Sequence, residues 1–466
     1  MVFMFYASIP SFKRYLDTFI PLLTLEIAVS VPYVANSAFL GSLGDPEPIA
    51  IYGLSNFFLN VVMSPFMYGV IEVGGVMFAK KFGEKDYRGM INYFYKTVIA
   101  MIPVLCFYAF MAIYSDKFFW ALGIEEPLAS KSAYLVKMTL FYYPLSYFTY
   151  LLQTYLMSQN IQKQFMPLNL ITIVLCLFFG KLFIVDLNYR EVGIIPVKCI
   201  LEVTNFIYVI AVMIKYGNRE TLGVISIEEA KIGLDIFLKK VLCTSIGTFA
   251  DHGTYEFNTF LVAQLKNVQH LAVYVSWTAI TLVQYFICLA MNSTIRTNVG
   301  HILGSGSPRK AREEAIAYYF YSFCLAYIYA FCLAYFAYDI ARIYINNEEI
   351  VPDLVKTLYI VCAFMFTAMM IYPTFGLLPL LNLEAYLMQM TVSVFIVLNA
   401  ILSSTMCFVF GWGVIGVVLG HTLSVAVMVV LFLYKIFFNH DWTELNEMLD
   451  PLLESLEMEL MSHHTF

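Results

Sequence analysis

Charge is what this 466-residue chain has least of. Asp, Glu, Lys and Arg make up only 13% of it, against 61% hydrophobic residues. Soluble domains are nearer half apolar and about a quarter charged. With a mean hydropathy of +0.75, the chain reads as an integral membrane protein, long enough for about twelve spans of roughly 20 residues plus loops. There is no basic domain or stripe, which excludes nucleic acid as a partner. No GxxxxGK[ST] stretch occurs, so ATP is not the direct energy source, and no HExxH or similar motif supplies a metal site or the cluster an enzyme needs. No cofactor is expected. The nine cysteines, at 106, 176, 199, 243, 288, 324, 332, 362 and 407, show no paired or metal-like spacing and read as small buried apolar residues. No small-residue cleavage site follows Lys13, Arg14 and the apolar run behind them, so the first span is expected to stay as an uncleaved anchor.

What is present is apolar runs between charged or Gly/Pro breaks. They predict an all-α polytopic protein with spans near 15–39, 48–78, 91–114, 133–157, 165–185, 193–215, 237–264, 271–299, 314–338, 354–380, 385–409 and 412–437. Basic residues crowd the N-terminus and alternate loops, as in Lys80, Lys81, Lys85, Arg88, Arg309, Lys310 and Arg312. By the positive-inside rule both termini face the cytoplasm. Residues 216–236 form the longest polar connection and divide an N-terminal lobe, 1–215, from a C-terminal lobe, 237–440. The two halves resemble each other at a nearly constant offset: Phe39-Leu40 answers Phe260-Leu261, Ala50-Ile51-Tyr52 answers Ala272-Val273-Tyr274, and Gly83 answers Gly304. Two six-helix lobes of one orientation would be related by a pseudo-two-fold axis along the membrane normal, with a central cavity and a midplane site between them. The acidic tail, 441–466, has Trp442, Leu445, Leu449, Leu452, Leu456 and Leu460 at helical spacing and reads as an amphipathic cytoplasmic helix.

Ionisable groups inside a membrane helix cost roughly 2.5–3.5 kcal/mol each on insertion scales, so each is a functional candidate. The stretch TFADHGTYEF places Asp251, His252 and Glu256 in the seventh span. His252 and Glu256 share a helix face, and Asp251 lies one residue, about 100°, away. Carboxylates beside an imidazole in a low dielectric can hold or release a proton near neutral pH; they can equally attract an organic cation or bind Na⁺. The plain alternative is polar glue between helices, worth about 1 kcal/mol per contact. The first span carries Glu26, Ser30, Tyr33 and Ser37 on one face, with Asn36 near its outer end and a kink expected at Pro32. The second span shows Asn56, Asn60, Ser64, Tyr68 and Glu72, and the eighth shows Thr281, Gln284, Tyr285, Cys288 and Asn292. Such stripes suit the walls of an aqueous cavity, and equally suit hydrogen bonding between helices.

The segments FLGSLGDPEPIA, FAKKFGEKD, TYEFNTFLVAQ, LAVYVSWTAI and NVGHILGSGSPRKAR resemble the multidrug and toxic compound extrusion (MATE) family. YLMSQNIQKQFMPLNLI and GWGVIGVVLGHTLS are similar to the family's fourth-to-fifth and eleventh-to-twelfth connections. The resemblance implies two six-helix lobes around a central cleft and cation-coupled export of organic, often cationic, compounds. It implies coupling acids at Asp251 and Glu256. At two other positions where relatives carry acids, this chain has Asn36 and Thr367, which leaves Glu26 or Glu72 as substitutes.

The reading that results is a secondary antiporter, monomeric and embedded in the bilayer of the plasma membrane or of a vacuolar or vesicular membrane. It would export small organic compounds in exchange for H⁺ or Na⁺. Asp251, Glu256, His252, Glu26, Asn36, Glu72, Gln284 and Tyr285 are its candidate ion- and substrate-binding residues. A flippase for a lipid-linked or amphipathic substrate is the rival, and would call for a cationic cavity. A membrane enzyme is a further alternative that no residue cluster supports.

Overall fold

A computed structural model describes residues 9–344 and 350–442, and among these residues it contains helices and turns but no strand. The tail from Thr443 onward, and with it the expected amphipathic helix, lies outside the described residues. Among the described residues, eight helices are long and apolar enough to cross a membrane, and two bent pairs raise the number to ten. Two further expected spans account for the difference from twelve. One, Leu128–Thr139 with Tyr143–Met157, is interrupted at residues 140–142. The other, Leu234–Gln264, has 31 residues, but Asp251, His252, Glu256 and Asn258 in its middle lower its hydropathy.

The expected second and tenth spans are each broken. Pro46–Val62 and Ser64–Glu84 meet at 47°, and Val351–Ala363 and Met365–Leu380 at 59°. Pro65 accounts for the first break, because its ring and missing N–H stop the preceding helix from continuing. Ile9–Gly41 is one continuous helix with Pro21 and Pro32 inside it.

The chain divides into two compact units. One comprises Asp17–Phe78 and Tyr87–Ile225. The other takes everything from Ser226 onward, together with the chain up to Leu16 and the segment Ala79–Asp86. In the first unit Pro46–Val62 packs on Leu128–Thr139, and Ile194–Tyr216 packs on Tyr143–Met157 and Met166–Gly180. Leu40, Ile51, Leu135, Ile184 and Ile194 close one of its cores. In the second unit Val268–Gly304 lies along Met365–Leu380, Leu234–Gln264 along Glu384–Thr391, and Gly413–Phe438 along Asn399–Ser404.

The internal duplication is visible in the backbone. Left-handed residues recur in pairs: Gly44 with Lys266, Lys85 with Gly306, Asn160 with Asn382, and Arg190 with Gly411. The separation within these pairs is the same to within one position. The repeat thus keeps its register from one chain reversal to the next.

One contact within the second unit is reciprocal under the same register. A Cβ on Gly83 would sit 2.3 Å from the carbonyl oxygen of His301, and a Cβ on Gly304 would sit 2.0 Å from that of Lys80. Gly83 answers Gly304, and Lys80 answers His301, at one identical offset. The two helix ends therefore cross backbone to backbone, a closeness only glycine permits. Gly304→Leu is expected to lower the melting temperature of the detergent-solubilised protein, at or above the roughly 1–3 kcal/mol typical of overpacking, because the obstacle is main chain. Melting at the wild-type temperature would contradict the crossing.

Candidate functional site

A cluster of buried polar side chains at membrane-helix positions lies in the unit that holds the C-terminal half. Along Leu234–Gln264, residues Ala250, Asp251, Thr254, Asn258 and Leu261 are buried, a stripe at helical spacing. Asp251 is 4% exposed and accepts a 2.9 Å hydrogen bond from the Tyr372 hydroxyl. Tyr372 comes from Met365–Leu380 and is itself held by rings, edge-on to Tyr285 with centroids 5.1 Å apart and to Phe375 at 5.6 Å. Its hydroxyl also reaches that of Tyr255, one turn beyond Asp251. A neighbouring network ties the same helix down. Asn258 accepts from Asn399 at 3.1 Å, Ser403 donates to Asn399 at 3.1 Å, and Thr254 donates to the Phe395 carbonyl at 3.1 Å.

The other sequence candidates are distributed as follows. His252 and Glu256 are half-buried and form no hydrogen bond or ion pair with the described residues. Gln284 is buried, its Oε1 without a partner among the described residues. Tyr285 is half-buried and braces Tyr372. Glu26, Asn36 and Glu72 belong to the other compact unit. There Glu26 is buried near Tyr68, Asn36 is fully buried beside Tyr52, and Glu72 is half-buried. Thr367 donates to the Phe364 carbonyl at 2.8 Å; the side chain that meets Asp251 from that helix is Tyr372.

Sequence reasoning missed Tyr372, Tyr255, Trp277 and His421. For Tyr372 there was no signal, since it is one of 34 tyrosines. His421 carried one: it is an ionisable residue inside the apolar run GWGVIGVVLGHTLS, the same criterion that singles out Asp251.

The repeat shows what is peculiar to this site. A frame of Tyr33, Asn36, Tyr52 and Tyr150 in the first half is answered by Tyr255, Asn258, Tyr274 and Tyr372 in the second, all four at one offset. At the same spacing, Val29, Ser30 and Val34 stand where the second half has Asp251, His252 and Glu256. The polar frame is shared, and this set of ionisable groups belongs to the second copy only.

Tyr372→Phe removes the donor to Asp251 and leaves a buried carboxylate short of one charge-assisted bond. A loss of about 1.5–3 kcal/mol is expected, read as a lower melting temperature in detergent. Asp251→Asn should recover most of it in the double variant, since an amide is cheaper to leave unpaired than a charge. Equal losses in Tyr372→Phe with and without Asp251→Asn would contradict the pairing.

The MatE family model matches residues 21–182 and 248–405, more than half of the chain and a segment from each half. Among curated proteins none matches the sequence. Solved structures do match. The eukaryotic MATE transporter AtDTX14 has a TM-score of 0.84 at 13% identity, over 94% of this chain and 98% of that one. A multidrug resistance MATE family transporter of the MOP superfamily in an outward-facing conformation has 0.82 at 16% identity, over 95% and 98%. A MOP superfamily transporter from Pyrococcus furiosus, for which reverse polarity of the binding pocket is described as suggesting a different function, has 0.80 at 15% identity, over 95% and 98%. At such identities the likeness shows the fold, a two-lobed helical membrane transporter; with the family model matched in both halves, the chain belongs to the MatE family of multi-pass membrane transporters.

Proposed function

We propose that the protein is a secondary antiporter that exports small organic, often cationic, compounds in exchange for H⁺ or Na⁺. The observation that carries this is Asp251, a carboxylate buried in a membrane helix and held by a tyrosine hydroxyl. Its equivalent in the first half is Val29, so the duplicated architecture stands without it. A costly group that the architecture does without is best explained by what it binds. A carboxylate can neutralise a coupling cation or an organic cation, and not both at once. Mutual exclusion then couples the two fluxes. Glu256, half-buried and without a hydrogen bond among the described residues, offers a second negative group on the same helix. Gln284 and Tyr285 line the neighbouring helix, while Glu26, Asn36 and Glu72 offer the first half's polar positions. The reading assigns transport and no catalytic step, and takes a monomer in the bilayer as the working unit.

The test is gradient-driven flux in proteoliposomes, normalised to inserted protein, with pH and Na⁺ gradients imposed separately. Asp251→Asn and Glu256→Gln keep volume and hydrogen bonding, so both should insert at near-normal abundance and lose gradient-driven accumulation. Full coupled flux in both variants would return the carboxylates to a packing role. Wild-type flux of an amphipathic lipid analogue without any gradient would favour the flippase alternative.

Loop charge supports an orientation with both ends cytoplasmic. Tags at the two termini should resist membrane-impermeant reagent applied from the non-cytoplasmic side. Labelling of either tag from that side would overturn the orientation.

A further inference from the structure

One more ionisable side chain is buried in the same unit as Asp251. His421, on Gly413–Phe438, is 5% exposed, and its Nδ1 has no hydrogen-bond partner among the described residues. Its imidazole is walled by rings. Tyr255 lies 4.9 Å away between centroids, Trp277 meets it edge-on at 6.0 Å, and Phe395 stacks on it at 6.3 Å.

The duplication shows that packing does not call for an imidazole there. Lys215 and Lys435 end the last span of each half, and counting back equally from each sets Leu201 against His421. Leu201 is buried with Ala35, Cys176 and Val197, so an apolar side chain fills the same place in the first half. An unpaired polar nitrogen buried where a leucine would serve is a cost without a structural return.

Burial works against a charge on the imidazole, and the rings around it are what offsets that cost. Aromatic faces attract a positive charge, and do so most strongly where water is excluded. The Tyr255 ring that touches the imidazole carries the hydroxyl within reach of Tyr372, which donates to Asp251. Leu234–Gln264 presents Tyr255 to the ring, with Asp251, His252 and Glu256 elsewhere on the same helix; Met365–Leu380 brings Tyr372; and Val268–Gly304 brings Trp277, which does not titrate, with His270, Tyr274, Tyr285 and Cys288 elsewhere along it. Asn399–Ser404 has none, and Thr405–Val409 has Cys407 alone. On Val351–Ala363, Asp353 and Lys356 pair with each other at 2.9 Å.

We propose that His421 takes up the coupling proton, and hence that H⁺ rather than Na⁺ drives the exchange. This rests on the antiport reading above. In the step, the Nδ1 lone pair bonds a proton delivered by hydronium, the hydronium O–H bond breaks, and water leaves. The imidazolium is then balanced by Asp251 across two tyrosines. Binding of a cationic substrate at Asp251 removes that balance, and the proton returns to water. A nitrogen base walled by rings takes a proton and not an alkali cation.

The direct test uses full-length protein in detergent with Trp277 as its only tryptophan, Trp120, Trp412 and Trp442 being replaced by Phe. Acidification from about pH 8 to 3.5 spans the range of histidine, free or buried. It should quench Trp277 emission in one transition, as the imidazolium forms against the indole, and His421→Gln should abolish that transition. In liposomes, His421→Gln should lower pH-driven flux at least tenfold, and a Na⁺ gradient should drive none in the wild type. Flat wild-type emission, a transition that survives His421→Gln, or Na⁺-driven wild-type flux would each overturn the proposal. Absence of flux under any gradient would sink the antiport reading itself, while the fluorescence titration separately decides whether His421 takes a proton.

Discussion

A carboxylate in the middle of a membrane helix has to be compensated, and that requirement organises the second half of this protein. An isolated buried charge is prohibitive in a low dielectric, so partners must be brought to it. Asp251 receives the Tyr372 hydroxyl at 2.9 Å. To deliver that hydroxyl, Met365–Leu380 packs along Val268–Gly304, and Tyr285 and Phe375 fix the ring. The Asn258–Asn399–Ser403 network holds the same helix from another side. Each partner is itself hydrogen-bonded or ring-packed, so the carboxylate sits in a preorganised setting.

Duplication separates the site from the frame that carries it. Both halves carry the same tyrosine and asparagine frame and the same left-handed turns. The first half keeps Val29, Val34 and Leu201 where the second has Asp251, Glu256 and His421. At these three positions the first copy packs an apolar side chain, while its own buried acid, Glu26, stands elsewhere in the repeat. The reciprocal crossing of Gly83 and Gly304 belongs to the shared part: it depends on the absence of side chains, and both copies retain it.

Much of this was legible in the sequence, and for definite reasons. Twelve apolar runs, a polar mid-chain connection and a constant offset between the halves follow from hydropathy and length, which the bilayer constrains strictly. Asp251 stood out because a charge in an apolar run is conspicuous. The helix breaks at Met63 and Phe364 did not, since hydropathy is blind to a bend that preserves composition; only Pro65 marked the first of them. Tyr372 was invisible among 34 tyrosines, because what distinguishes it is a partner 121 positions away in the chain. His421 was visible by the criterion applied to Asp251, within the stretch GWGVIGVVLGHTLS, which was read for its family resemblance and not for its one ionisable residue.

The central claim is that an organic cation and the coupling ion exclude each other at Asp251. The most direct measurement is equilibrium binding of a fluorescent organic cation to detergent-solubilised protein across pH, in wild type and in Asp251→Asn. Competition for one carboxylate predicts wild-type affinity falling by up to about tenfold per pH unit on acidification, one proton being displaced per cation bound. It also predicts that Asp251→Asn binds weakly and with no such dependence. Wild-type affinity that is independent of pH and Na⁺, or an unchanged profile in Asp251→Asn, would contradict it.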